Sequence, residues 1–287
     1  MYKPDRILII GSSGMLGNTM IQYLSEKKFF KVYGIQRSKS TNNKNIKFFI
    51  IKKFTREKIF KIIKIIKPKF VINCAGLINH KIKKKNIDEA FFLNSFFPKL
   101  LSEGSKIFNF SLIHISTDCV FDGKKGNYSE TDIPNAKDIY GISKYLGEIF
   151  GKKVITIRTS IFGHERKTRL GLLEWFLNSK NKIKGYKNFF FTGLTTLELS
   201  KIIYNYILKN RKIRKGLFHI GGKKISKFKL LKDINHCYMK KIKIIPVSIP
   251  KVDKSLKSSK FIKITGYKFT SLKIMINEMK EFNEKFF

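Results

Sequence analysis

"RILIIGSSGMLGNTM", residues 6–20, decides how the fold is read: a short apolar run meets Gly11, Gly14 and Gly17 and passes directly into a helical pattern, "MLGNTMIQYLSEKK" (15–28). Glycines at those places leave room for a tight turn, for close approach of the backbone to a pyrophosphate, and for close helix–strand packing. A helix that opens at such a turn offers free N–H groups and a partial positive charge to an anion. Strand, glycine turn and helix in this order predict a dinucleotide cradle.

Outward from the cradle, short β-rich runs alternate with longer helical patterns. "KVYGIQ" (31–36), "IKFFII" (46–51), "FVINCAG" (70–76), "SLIHIST" (111–117) and "KVITIRTS" (153–160) read as strands. Between them lie "TREKIFKIIKIIK" (55–67), a crossover helix stopped by Pro68, a helical stretch around 86–103, and the helix that carries Tyr140. Such alternation predicts an α/β protein built on a doubly wound parallel sheet. The expected division is residues 1–160 for cofactor binding, with a returning segment near 190–217. Residues 161–287 form a smaller, discontinuous substrate-binding lobe.

Composition limits what else the chain can be. Its 287 residues are 43% hydrophobic, enough to bury a substantial core. Lysines interrupt every apolar run, so no membrane span is expected. The N-terminus lacks the apolar region and cleavage site of a signal peptide, and three cysteines (Cys74, Cys119, Cys237) without metal-like spacing suit a reducing cytoplasm. The scattered histidines predict no catalytic metal. The formal net charge of +40 would fit a nucleic-acid partner. The excess is spread along the whole chain as lysine beside abundant Ile, Asn and Phe, a bias expected of an AT-rich coding sequence, so no specific nucleic-acid partner is expected.

Two further stretches carry chemistry. At the end of the second strand, "GIQRSKS" (34–40) has no Asp or Glu for a ribose 2′-hydroxyl, whereas Arg37, Ser38 and Lys39 suit a 2′-phosphate. NADPH is therefore the expected cofactor, with NADH open. "HISTDCVFDG" (114–123) ends a strand at the carboxyl edge, and "DIYGISKYLGEIFG" (138–151) places Tyr140 and Lys144 on one helical face. A phenol titrates near pH ~10, and a neighbouring ammonium is expected to lower it. Tyr140 then acts as the acid for a carbonyl that takes up hydride, with Lys144 on the cofactor ribose and Thr117 as a hydrogen-bond donor to the same carbonyl oxygen.

The Gly-x-x-Gly-x-x-Gly turn resembles that of the extended short-chain dehydrogenase/reductases. "ISTDCVFDGKKGNYSETDIPNAKDIYGISKYLGE" resembles the central segment of the dTDP-4-dehydrorhamnose reductase family. That family's Ser-Thr-Asp stretch, Val-Phe-x-Gly turn, Tyr-x-Glu-x-Asp run and Tyr-Gly-x-Ser-Lys-x-x-Gly-Glu helix are met by Ser116–Asp118, Val120–Gly123, Tyr128–Asp132 and Tyr140–Glu148. The resemblance continues, more weakly, through "GLFHIGG" into the C-terminal lobe. It implies a Rossmann fold, a nicotinamide cofactor and a nucleotide-activated 4-keto-6-deoxy sugar. The catalytic set is then Thr117, Tyr140 and Lys144. The cofactor set is Gly11, Ser12, Ser13, Gly14, Met15, Leu16, Gly17, Arg37, Ser38, Cys74, Ala75, Gly76, Asn94, Ser116, Tyr140 and Lys144. The substrate set is Thr117, Asp118, Val120, Phe121, Tyr140, Arg158 and His80, with His164 and Arg166 as further candidates for the sugar or its diphosphate.

Departures from the family pattern leave the sugar open. "CAGLINHKIKKKNIDEAF" replaces a Thr-x-Val-Asp-x-Ala-Glu run, "RTSIFG" lacks the usual pocket aromatic, and "TGLTT" replaces a Pro-Thr pair. A UDP-linked N-acetylated 4-keto-6-deoxyhexose fits the same chemistry. Nucleotide-sugar dehydratases carry Asp-Glu after the threonine. Asp118 is followed here by Cys119, a small packed residue, which favours reduction over dehydration. Three alternatives stay open: an epimerase or dehydratase that retains its NAD, a non-catalytic relative like the regulatory subunit of methionine adenosyltransferase, and a homodimer in place of a monomer.

Overall fold

The chain was analysed as a computed structural model that describes residues 4–38, 45–165 and 171–286, apart from the side chain of His80. In chain order the first half comprises β1 (Asp5–Ile10), α1 (Met15–Ser25), β2 (Phe30–Gln36), β3 (Lys47–Ile50), α2 (Arg56–Ile66), β4 (Phe70–Asn73), α3 (Ile87–Phe91), α4 (Phe97–Phe108), β5 (Ser111–Ile115), α5 (Ile139–Leu146) and β6 (Val154–Arg158). The second half comprises β7 (Ser160–Phe162), α6 (Leu172–Leu177), β8 (Ile183–Tyr186), β9 (Phe189–Phe191), β10 (Gly193–Thr195), α7 (Thr196–Ile202) and β11 (Gly216–His219). It continues through β12 (Ile225–Ser226), α8 (Lys227–Cys237), β13 (Ile244–Val247), β14 (Val252–Asp253), α9 (Ser259–Thr265) and α10 (Leu272–Phe286).

Seven strands form one Rossmann-like sheet in the order β11-β6-β5-β4-β1-β2-β3, and every pairing in it is parallel. A parallel sheet is covered on both faces, so its strands read as continuous apolar runs rather than alternating ones. Ile7 to Ile10 are accordingly 0% exposed. Two apolar clusters flank the sheet: Ile7 and Ile9 pack with α1 and α7, Leu8 and Ile10 with α2 and α4. Helix α2 buries Ile59, Ile62, Ile63 and Ile66, starts where Thr55 accepts from the Lys58 N–H, and ends at left-handed Lys67 before Pro68. Its Ile-Lys pattern is that of a helix lying against a sheet. The "GLFHIGG" run supplies β11 and adds a strand beside β6. The other late strands form small separate sheets, and a third apolar cluster gathers α8, α10 and their neighbours.

Several contacts hold α5 at the carboxyl edge of the sheet. Its N-cap Asp138 accepts from the Gly141 N–H, and at its end a Cβ built on Gly147 would lie 1.7 Å from the Asn94 carbonyl oxygen. Asn94 belongs to a π-helical stretch, Phe92–Phe96, between α3 and α4, so helix and stretch meet backbone to backbone. Immediately after, Glu148 accepts two 2.7 Å bonds from Arg158 Nε and Nη2 and one of 2.8 Å from Ser116 Oγ. The Glu148 and Arg158 side chains are 2% and 3% exposed. This bidentate pair locks the end of α5 to β5 and β6.

Two substitutions test this anchoring. Gly147→Ala forces a methyl into a backbone carbonyl that cannot step aside; a loss of about 1–3 kcal/mol is expected, read as a fall of several degrees in the thermal midpoint. Glu148→Gln leaves a buried guanidinium without its counter-ion and should cost about 3–5 kcal/mol in denaturant unfolding, whereas Glu148→Leu combined with Arg158→Met should recover most of that loss.

Candidate functional site

The carboxyl ends of β1, β4 and β5 open into a cavity of about 360 Å³, lined by Gly14, Met15 and Leu16 from the first turn, Cys74 to Gly76 after β4, and Ser116 to Cys119 after β5. Tyr140 and Lys144 of α5 line the same cavity, as do Asn94, Thr159, Ser160 and Ile161. Ligands of open α/β sheets bind at this edge.

The first turn has the tight backbone that a phosphate cradle requires. Gly11 has φ +80°, and a Cβ on it would lie 2.7 Å from the Ala75 nitrogen; one on Gly17 would lie 2.2 Å from the Gly11 carbonyl oxygen. Neither position tolerates a side chain. Helix α1 begins at Gly14 without a side-chain cap, so its first-turn N–H groups face the cavity end unspoken for by any cap. That arrangement suits the phosphates of a dinucleotide. Ser12 is fully buried and its hydroxyl donates to the Ile35 carbonyl at 3.1 Å, a brace for the turn rather than a contact for a ligand. Gly11, Ser12 and Gly17 therefore shape the turn, Ser13 lies within it and does not line the cavity, and Gly14, Met15 and Leu16 face the cavity.

Lys144 is 5% exposed, and its Nζ donates to the Ile115 carbonyl at 2.6 Å. Burial pushes the ammonium down to about 8, with Glu148 and Cys74 opposing. The Tyr140 phenol moves the other way from the sequence expectation: burial, then Cys119, raise it above the ordinary range, and the hydrogen bond with Thr117 only partly offsets them. Desolvation outweighs charge here, and the Lys144 ammonium is bonded to the Ile115 carbonyl at the sheet edge. Thr117 Oγ1 donates to Asp118 Oδ1 at 3.2 Å and accepts from the Cys119 N–H at 3.1 Å, which fixes its rotamer beside Tyr140. Burial raises the Asp118 carboxyl, against the influence of Lys254 and hydrogen bonds from Ser160, Cys119 and Thr117. Both cavity thiols, Cys74 and Cys119, are pushed up to about 12 by burial, which leaves them unreactive near neutrality.

Several expected contacts go elsewhere. Val120 and Phe121 are 0% exposed and form a small core with Tyr128 and Leu256; Phe121 stacks on Tyr128 with ring centroids 4.0 Å apart. Apolar and fully enclosed, they pack inside the loop and do not line the cavity. Arg158 is consumed by Glu148 beneath the sheet edge and does not line the cavity. His164 bonds Glu174 of α6 at 2.7 Å and Tyr238, at the end of α8, at 2.8 Å. The Asn94 side chain is occupied by the Leu77 backbone and Ser143, so it organises the cavity wall. Ser116 faces the cavity and braces Glu148. Ser38 is exposed. Lys39, the His80 side chain and Arg166 lie outside the described residues.

Other residues enter without a local sequence signal. Arg37 reaches the cavity rim and pairs with Glu89 of α3 at 3.0 Å, so an acidic group absent from the end of β2 arrives from elsewhere in the chain. Lys81 and Glu165 meet at 3.3 Å, joining the loop after β4 to the segment after β7 along the cavity wall. His114 lies on β5, 0% exposed; Asn73 bonds its Nδ1, and burial followed by Lys144 keeps it neutral.

Comparison with known proteins agrees with this architecture. The family model for the RmlD substrate binding domain matches residues 5–283. A dTDP-4-dehydrorhamnose reductase of Aggregatibacter actinomycetemcomitans is 32% identical over 161 residues, covering 54% of this chain and 51% of the relative. Methionine adenosyltransferase 2 subunit beta of Bos taurus is 29% identical over 144 residues, covering 50% and 41%. The chain thus spans about half the length of the curated relatives it matches. Among solved structures, a hypothetical dTDP-4-dehydrorhamnose reductase from Sulfolobus tokodaii superimposes with a TM-score of 0.76 at 27% identity, covering 93% of this chain and 98% of the other. The dTDP-4-dehydrorhamnose reductase from Bacillus anthracis, solved in complex with NADP, gives a TM-score of 0.79 at 21% identity over 96% and 99%. With the matched residues running almost from end to end of the described fold, the chain belongs to the RmlD substrate binding domain family.

Proposed function

We propose that this protein reduces the 4-keto group of a nucleotide-linked 4-keto-6-deoxyhexose, using NADPH. One observation carries the reading: Tyr140, Lys144 and Thr117 line a single cavity with the uncapped glycine turn at Gly14. When bound, the nicotinamide supplies hydride to the carbonyl carbon. Thr117, by turning its one hydroxyl proton from Asp118 Oδ1 toward the substrate, holds the carbonyl oxygen, and Tyr140 gives that oxygen its proton, so the ketone becomes a secondary alcohol. Burial keeps the phenol protonated at neutral pH, which is the form a donor must have, and the proton moves as negative charge grows on the oxygen. Lys144, fixed on the Ile115 carbonyl, has further N–H bonds for a ribose and places positive charge beneath the site. The relatives named reductases support the choice of substrate, and the Asp118–Cys119 pair lacks the second carboxylate that dehydration needs.

The preference for NADPH rests on Arg37 at the rim. Its partner Glu89 is exposed, and a pair of that kind contributes about 0–1 kcal/mol. A 2′-phosphate carries more charge and can displace it. Matches to methionine adenosyltransferase subunit beta over half of this chain favour, as a second reading, a cofactor-binding protein that does no chemistry.

Tyr140→Phe separates the two. The reductase reading predicts at least a ~100-fold loss in NADPH oxidation with a dTDP- or UDP-linked 4-keto-6-deoxy sugar, at unchanged cofactor affinity. In the intact protein kcat/KM should fall as pH rises through about 8, where Lys144 loses its proton. Glu89→Gln should tighten binding of 2′,5′-ADP a few-fold in calorimetry and leave 5′-AMP unchanged. Equal effects on both ligands would remove Arg37 from cofactor selection.

A further inference from the structure

Away from the catalytic cavity, α7 runs on into a π-helical stretch, Ile203–Lys209. Between this stretch and the loop that joins α9 to α10 lies a second cavity, of about 350 Å³. Glu198 of α7, Asn205 and Tyr206 of the π-helical stretch, and Tyr267 and Thr270 of the loop line it. Gly266 ends α9 with φ +70° and turns the chain into that loop. π-helical winding is rare and recurs where a function requires it. The other such stretch among the described residues, Phe92–Phe96, carries Asn94 into the wall of the catalytic cavity.

Glu198 is the unusual group in this second cavity. Thr195 caps α7 by accepting from the Glu198 N–H at 3.1 Å, and in a capping box the carboxylate would turn back to the Thr195 N–H. It is bonded to the loop instead: Thr270 Oγ1 donates to Oε1 at 2.7 Å, and Tyr267 Oη donates to the same oxygen at 3.2 Å. Among the described residues Oε2 accepts no hydrogen bond, although Glu198 is only 5% exposed. Nor does any lysine or arginine among them pair with this carboxylate, in a chain with 60 basic and 20 acidic residues. Neighbouring Lys201 is taken by Glu278 at 2.7 Å, and Lys268, on the cavity wall, is exposed. The charge of Glu198 is felt by two phenols. Burial, then Glu198, raise that of Tyr267; burial, Tyr204 and then Glu198 push that of Tyr23 up to about 12. A carboxylate withdrawn from water is costly unless a cation joins it.

We propose that this second cavity binds a small molecule bearing a protonated amine, whose ammonium donates to Glu198 Oε2 beside the rings of Tyr206 and Tyr267. An ionised carboxylate oxygen and aromatic rings are the two kinds of partner that suit an ammonium. The two rings meet edge to face with centroids 6.0 Å apart, so they form a corner rather than a flat stack. The volume is at the lower end of that found for small-molecule sites, which fits a compact amine. None of the groups assigned to hydride transfer takes part, so the site stands independently of the reductase reading.

Ligand-observed NMR titration of butylamine into the full chain, with 1-butanol as its uncharged counterpart, tests the site. Butylamine should bind saturably and 1-butanol should not. Glu198→Gln keeps an oxygen for Thr270 and Tyr267 but removes the charge, and should weaken butylamine by at least about tenfold. Glu103→Gln, an exposed acid of α4, is the control for general charge and should leave the affinity unchanged. Thermal melts confirm that each variant is folded. Lys268→Gln, at an exposed position, removes a like charge from the wall and should tighten butylamine a few-fold. It decides the question if Glu198→Gln does not fold. Equal affinity in Glu198→Gln and the unaltered protein would overturn the proposal, as would saturable binding of 1-butanol or no saturable binding of butylamine. A loss in the Glu103 control as large as that in Glu198→Gln, or no tightening in Lys268→Gln, would also count against it.

Discussion

A buried ammonium bonded to the last carbonyl of a strand organises the rest of this molecule. Lys144 Nζ meets the Ile115 oxygen at 2.6 Å, at the point where β5 stops and its edge faces the cavity. Placing a cation there opposes solvation, and burial draws the group down to about 8. The surroundings prevent α5 from drifting away. Glu148 lies close enough to stabilise the charge, Ser95 Oγ grips the Ser143 carbonyl at 2.7 Å, and Gly147 sits flush against Asn94. Tyr140, one helical turn before Lys144, is positioned by the same contacts. The site's geometry is thus a consequence of how one short helix is nailed to one strand.

The parts of this arrangement that are local in sequence were legible in it. A glycine turn between a strand and a helix has one economical conformation, and an i, i+4 pair shares a face in any α-helix. What depends on distant partners was not legible. Arg158 has the composition and strand-end position of a ligand contact, but Glu148 claims it, and nothing near Arg158 announces that. Val120 and Phe121 belong to a motif associated with the site and serve it from within a tiny core. Glu89 reaches Arg37 from another helix. The phenol's shift runs against the expectation from spacing for a related reason: spacing shows that a charge is near, whereas desolvation depends on everything packed around it.

The charge of the chain needs the same care. With 60 basic and 20 acidic residues, most lysines must lack a carboxylate partner, so an unpaired lysine by itself says little. Exposed ones are solvated at small cost. Strands β12 and β14 are two residues each, and elements so short have no periodicity to read.

The central claim is that Tyr140 and Lys144 serve a carbonyl that receives hydride in this cavity. NADPH deuterated at the transferable position of nicotinamide C4, incubated with a dTDP- or UDP-linked 4-keto-6-deoxyhexose, tests it by mass spectrometry of the sugar. The expected product is an alcohol one mass unit heavier than that formed with ordinary NADPH, with the deuterium on C4. A sugar recovered as the unlabelled ketone, or rearranged without label while the cofactor stays reduced, would contradict it.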